Sequence, residues 1–204
     1  MARLVIETAT AACSVALLDG ARVLAARHEV VGRGHAERVV PMIGEVLVAA
    51  GVDRPDAILV DCGPGSFTGI RVGLAAARGL GLAWGVPVAG YSAPALIAAQ
   101  EAGEEPIGVA MTGGHGEVFV QRFARLPLAP LSAVVSLPPA EAAAAVGEPD
   151  VFGSGAAVLV AARGHGSAHD RLPDAAQAWR LPPALAALAP TPLYGRAPDA
   201  ALPR

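Results

Sequence analysis

The strongest chemical signal in the sequence is the run Gly63-Pro64-Gly65-Ser66-Phe67-Thr68-Gly69. It stands between an apolar strand-like stretch and the start of a helix. At such a place free backbone N–H groups and the positive end of the helix dipole can meet an anion. Three glycines permit tight turns, and Ser66 and Thr68 are both suited to cap the helix. A strand-to-helix turn with no ligand explains the same residues and is the reading favoured by the sequence alone. His165 and His169 have the i,i+4 spacing of a zinc-binding pair on a helix. Gly164, Gly166 and Pro173 argue against a helix there, and only Asp170 is at hand as a third ligand, so no metal site is expected. Cys13 and Cys62 each lie in an apolar run and have no histidine placed for them; they read as small core hydrophobes.

Composition removes further chemistries. All fifteen basic residues are arginine, and neither lysine nor asparagine occurs. A P-loop, a pyridoxal Schiff base and a kinase strand lysine are therefore excluded, as is N-glycosylation. The 46 alanines beside 24 glycines and 18 prolines point to codon bias as the origin. The net charge of −3 argues against a chain that holds nucleic acid by itself. Only 16% of residues are charged, against about 25% in ordinary soluble domains. Glu7 and the threonines at 8 and 10 interrupt the N-terminal apolar run, so no signal peptide is expected. No apolar stretch reaches the length of a membrane span, and the cytoplasm is the expected location.

The elements that must position these residues follow from periodicity. Arg3–Glu7, Cys13–Leu18 and Arg22–Glu29 read as strands, the last two joined at Asp19-Gly20. His35–Ala50 reads as a helix with Pro41 inside it and Gly51 at its end. Ala57–Cys62 is a buried strand, Ile70–Trp84 a helix, Val86–Tyr91 a strand, and a further helix starts near Ala93 with Ser92 as cap. Beyond residue 102, Ile107–Met111, Glu117–Phe123 and Val151-Phe152 read as strands, and Pro139–Val146 and Ala156–Ala162 as helices. Residues 163–183 read as loop, and the tail from Pro190 as extended. The expected fold is α/β, with mixed sheets flanked by helices.

Helix 70–84 carries only Arg71 and Arg78 as charges, and Gly73, Ala77 and Gly81 form a small-residue stripe. Helix 35–50 is likewise apolar around much of its circumference. A helix covering one sheet face should show charge on its other side. Either further chain covers these two helices or they form a helical interface with a partner.

Three segments resemble the TsaB (YeaZ) family. They are Leu4–Leu17, His35–Ile43 and, most specifically, Gly63-Pro64-Gly65-Ser66-Phe67-Thr68-Gly69-Ile70-Arg71; the ending Pro192–Ala200 is also similar. The resemblance implies an actin- and sugar-kinase-like (ASKHA) fold in two lobes, 1–102 and a smaller, partly trimmed 103–204. It implies a non-catalytic scaffold in the synthesis of threonylcarbamoyladenosine on tRNA. Such a subunit pairs through its first two helices with the transferase TsaD and helps recruit the ATPase TsaE. It forms a homodimer when alone and meets tRNA only through the complex. The interface is then expected at Val39, Met42, Ile43, Val46, Leu74, Ala77 and Gly81, rimmed by His35 and Arg78. Thr8, Thr10, Gly63, Gly65, Ser66, Thr68 and Gly69 form the motif loops, where an active ASKHA enzyme would hold ATP. No cofactor is expected on this chain alone; ATP or ADP would belong at the boundary with TsaD. Glu7 replaces the family's usual Asp, which weakens the alternative of an ATPase or phosphotransferase. The transferase's histidine pair has no counterpart in Ser92–Leu96. A zinc metallopeptidase-like protein is the remaining alternative.

Overall fold

The computed structural model describes residues 1–195 of the 204. Its first half contains β1 (Ala2–Glu7), β2 (Ala12–Asp19), β3 (Arg22–Val30), α1 (His35–Ala50), β4 (Ala57–Asp61), α2 (Phe67–Trp84), β5 (Val88–Tyr91) and α3 (Ala93–Gln100). Two antiparallel pairings are followed by two parallel ones, giving the sheet order β3-β2-β1-β4-β5. β1 and β4 are buried on both faces after their first residues, as expected for central strands covered by other elements. α1 runs through Pro41 and stops at Gly51, whose φ of 65° suits the left-handed helix end. α2 starts at Phe67 rather than Ile70, because the Ser66 side chain accepts a hydrogen bond from Gly69 N and caps the helix there.

The second half repeats the same plan. It contains β6 (Ile107–Thr112), β7 (Val118–Arg125), β8 (Leu128–Pro130), β9 (Val135–Leu137), α4 (Pro139–Ala145), β10 (Asp150–Phe152), α5 (Ala156–Arg163) and β11 (Ser167–His169). The sheet order is β11-β10-β6-β7-β8, with β9 also paired to β7. β6–β7–β8 is antiparallel and β6–β10–β11 parallel, as in the first sheet. The region expected as loop, 163–183, holds β11 and a 3-10 segment at Ala175–Arg180. The strands β8 and β9 were not expected either; at three residues each they are too short to show an alternation.

The halves are cross-braced. α3, which follows the first sheet, packs on β6, β7 and β8 of the second. The 3-10 segment, which follows the second sheet, packs back on β1, β2 and β3. Ala93 through Ala99 are all buried, so α3 has no solvent face. One large apolar core results, and a smaller one lies under α4 and α5. No described helix is long and apolar enough to cross a membrane.

Candidate functional site

The turn after β1 and the loop before α2 lock together. Thr8 is buried and its Oγ1 donates to Gly69 O at 2.8 Å, while Ser66 N donates to Ala9 O at 2.6 Å. The glycines are explained by this contact. A Cβ at Gly65 would collide with the Ala9 carbonyl, and one at Gly69 with the Thr8 carbonyl. Gly63 N donates to Asp61 Oδ1 at 2.9 Å. Of the N–H groups expected to face an anion, those of Gly63, Ser66 and Gly69 are therefore spent within the protein. Thr10 and Ser66 line a cleft of about 450 Å3; Thr68 is exposed.

The opposite wall of that cleft is a second lock of the same kind. Gly155 N donates to Ala110 O at 2.9 Å, Thr112 Oγ1 donates to Ser154 O at 3.2 Å, and Gly153 lies against the Ala110 carbonyl. Met111, Thr112, Gly113, Gly114 and Ser154 line this side. The cleft thus lies between two corresponding turns of two corresponding sheets.

Beneath the first lock lies a group that the residue types alone did not reveal. Glu7, Asp61 and Tyr91 end the adjacent strands β1, β4 and β5, and all three are buried. Ala9 N donates to Glu7 Oε1 at 2.8 Å and Tyr91 OH donates to Glu7 Oε2 at 3.0 Å, while Asp61 stands at the neighbouring strand end, one residue past the Ile6–Val60 pairing. Burial is the first cause that raises both acids, with the Asp61 charge second at Glu7. Asp61 is pushed up to about 7, and Glu7 well above the ordinary carboxylate range. The available signal was an acid closing the apolar run 57–62, on a strand parallel to the one that ends in Glu7.

This arrangement does not fit a metal–nucleotide site. Glu7, the acid that the ASKHA resemblance assigns to the phosphates, is turned into the core and bound on both oxygens. Among the described residues, no carboxylate lines the cleft. His165 is exposed on a turn, His169 pairs with Asp150 at 2.9 Å on β11, and no group of metal-ligating side chains gathers among the described residues.

The expected interface residues are brought together, but inside the protein. Val39, Met42, Ile43 and Val46 face β2 and β3, and Leu74, Ala77 and Gly81 face the sheet beside them. The small-residue stripe admits the chain's own strands, with Gly73 against Thr8 and Gly81 against Val88. His35 is buried, its Nε2 3.1 Å from Ala12 O. Arg78 is exposed and donates to Pro190 O, and Arg71 Nε donates to the Tyr194 hydroxyl at 3.1 Å. Residues 188–195 thereby strap the edge of β5, where Leu188 bridges Gly90. The remainder of the expected ending, from Arg196, lies outside the described residues.

The bare surface is the opposite face of the same helices. Val40 (56% exposed) and Val48 (83%) stand out from α1, with Gly44 between them; Ala75, Gly79 and Leu82 (87%) stand out from α2. Sequence periodicity could not separate the two faces, because Val, Ala, Gly and Leu occur on both.

Two sheets of one repeated strand order, flanked by helices, make the mixed α/β architecture expected from the sequence. The family model described as "TsaD: tRNA N6-adenosine threonylcarbamoyltransferase" matches residues 26–128. The tRNA threonylcarbamoyladenosine biosynthesis protein TsaB of Escherichia coli is 36% identical over 127 residues, which cover 60% of this chain and 54% of that protein. YeaZ from Pseudomonas aeruginosa superposes with a TM-score of 0.77 at 32% identity, over 88% of this chain and 89% of that one. A further Pseudomonas aeruginosa crystal structure, titled as an uncharacterized protein with similarity to peptidase YEAZ, gives 0.80 at 29% identity, over 96% and 99%. The chain belongs to the TsaB/YeaZ family, within the wider group that the TsaD model describes. It spans about half the length of the curated TsaB relatives it matches.

Proposed function

We propose that this chain is a non-catalytic scaffold subunit in the synthesis of threonylcarbamoyladenosine on tRNA. It pairs with a TsaD-like transferase through α1 and α2 and helps recruit a TsaE-like ATPase, in the cytoplasm. Its two lobes divide near residue 102. tRNA is held only by the complex, and a second copy of the chain takes the transferase's place when that partner is absent. The chain alone binds no nucleotide; ATP or ADP is accommodated at the boundary with the transferase.

The observation that carries this reading is the aliphatic outer surface of the contacting helices α1 and α2, where Val40, Val48 and Leu82 are exposed among small residues. Exposed large aliphatics on adjoining helices are the mark of a surface meant to be covered. The inward-turned Glu7 supports the non-catalytic part. Co-expression with the TsaD-like protein of the same organism tests the reading. Val48→Asp and Leu82→Arg should each lower the co-purified transferase at least about tenfold, since charge is placed in a desolvated patch. Their melting curves as isolated chains should be unchanged. A complex that survives both substitutions overturns the interface.

A further inference from the structure

The buried acids Glu7 and Asp61 hold one motif segment each. The Glu7 carboxylate accepts from Ala9 N in the turn after β1, and the Asp61 carboxylate accepts from Gly63 N in the loop before α2. The two acids stand at neighbouring parallel strand ends, each one residue past the Ile6–Val60 pairing, and both are buried. Carboxylate oxygens are acceptors only, so two such groups can meet favourably only by sharing a proton. Asp61 Oδ2 is buried with no donor from the protein, and a proton shared with Glu7 would satisfy it.

We propose that Glu7 and Asp61 form a proton-sharing latch that keeps the turn after β1 closed on the Gly63–Gly69 loop, and that loss of this proton loosens one wall of the cleft. With both acids ionised, two like charges lie side by side in the buried interior. The two strand ends then repel, and each carries its segment with it. The segments that part, Ala9–Ala11 and Gly65–Ser66, form the first wall of the cleft.

Among the described residues, the surroundings supply no compensating charge. Tyr91 from β5, Cys62 beyond β4 and Cys13 from β2 are the other titratable groups near the pair, and burial raises all three. α2 presents Gly69 and Gly73 to this region, while its Arg71 and Arg78 lie on the outer face. α3 has no titratable side chain. His35 of α1 is engaged by Ala12 O, and Asp174, at the head of the 3-10 segment, by Ser14 and Ala176. The inference does not depend on the proposed partner.

Hydrogen exchange of the whole protein, corrected for intrinsic rates, tests it. Between pH about 6 and about 8.5, protection of Thr8–Ala11 and Gly63–Gly69 should fall at least about tenfold relative to the centre of the first sheet. Asp61→Asn cannot ionise and should abolish that fall. Wild-type protection that stays flat, or an equal fall in Asp61→Asn, overturns the latch. Infrared spectroscopy of the wild type gives a reading that needs no variant. The band of a neutral carboxylic acid should persist at pH about 6 and vanish in step with the loss of protection. Its absence at that pH overturns the proposal equally.

Discussion

The two halves share strand order, strand direction and the lock between strand end and helix start, yet they differ sharply in what covers them. In the first half, α1 and α2 have 16 and 18 residues; in the second, α4 and α5 have 7 and 8. The long helices bury Met42, Val46, Leu74 and Ile70 in the main core and still have an outer face with Val48 and Leu82 in solvent. The short ones cover a separate cluster of eight buried residues, among them Ala142, Ala156 and Leu159. Topology was duplicated; surface was not. The half with the longer helices is the one proposed above to meet another protein.

Three substitution pairs sharpen this contrast. The largest effect is expected at the cores. Met42→Asp puts a carboxylate where exposure is nil, costing about 4 kcal/mol or more, and should remove cooperative unfolding in urea altogether. Leu159→Asp should release only the α4–α5 layer, seen as local loss of hydrogen-exchange protection while the first sheet stays protected. Global unfolding by both would show that the smaller cluster is not separate. The next effect concerns the locks. Gly65→Ala and Gly153→Ala each drive a methyl into a carbonyl oxygen, at positive φ, and should each cost about 2–3 kcal/mol in urea titrations. Unequal costs would mean that the locks correspond in geometry but not in rigidity. The smallest effect tests the hydroxyls. Thr8→Val removes a buried donor from Gly69 O and should cost about 1–2 kcal/mol, whereas Thr112→Val, at an exposed site, should stay within about 0.5 kcal/mol.

The acid pair gives the first half a pH dependence with no counterpart at the matching strand ends of the second. At the corresponding strand ends, the second sheet carries Thr112 and Phe152 instead of Glu7 and Asp61. Both acids have folded-state values above their unfolded ones, so their contribution is fully present below pH about 4 and is lost as pH rises through about 7 at Asp61. Thermal melts should therefore show a decline over that window, and Asp61→Asn should flatten it.

Much of this was legible in the residues. The 3.6-residue period placed α1 at His35–Ala50, and Asp19-Gly20 placed the hairpin between β2 and β3. Three-residue strands such as β8 and β11 carry too few side chains for a period, and their pairing is decided by neighbours far along the chain. The choice of helix face failed for a different reason. Val39 and Val40 are chemically identical, and only the position of the sheet decides that one is buried and the other half exposed. The partnership of Glu7 and Asp61 likewise arises from parallel register, with Ile6 opposite Val60 one residue before each acid.

The cross-bracing by α3 and the 3-10 segment bears on how the chain is made. As it leaves the ribosome, the first sheet has its strands by Tyr91 but lacks the cover that Ala175–Arg180 provides. Its underside stays greasy until Ala175–Arg180 has emerged, and α3 has no sheet to rest on until β6 and β7 arrive. A chain cut between α3 and β6 would yield two fragments that each carry the other's missing lining, able to reassemble as a pair and poorly suited to live apart.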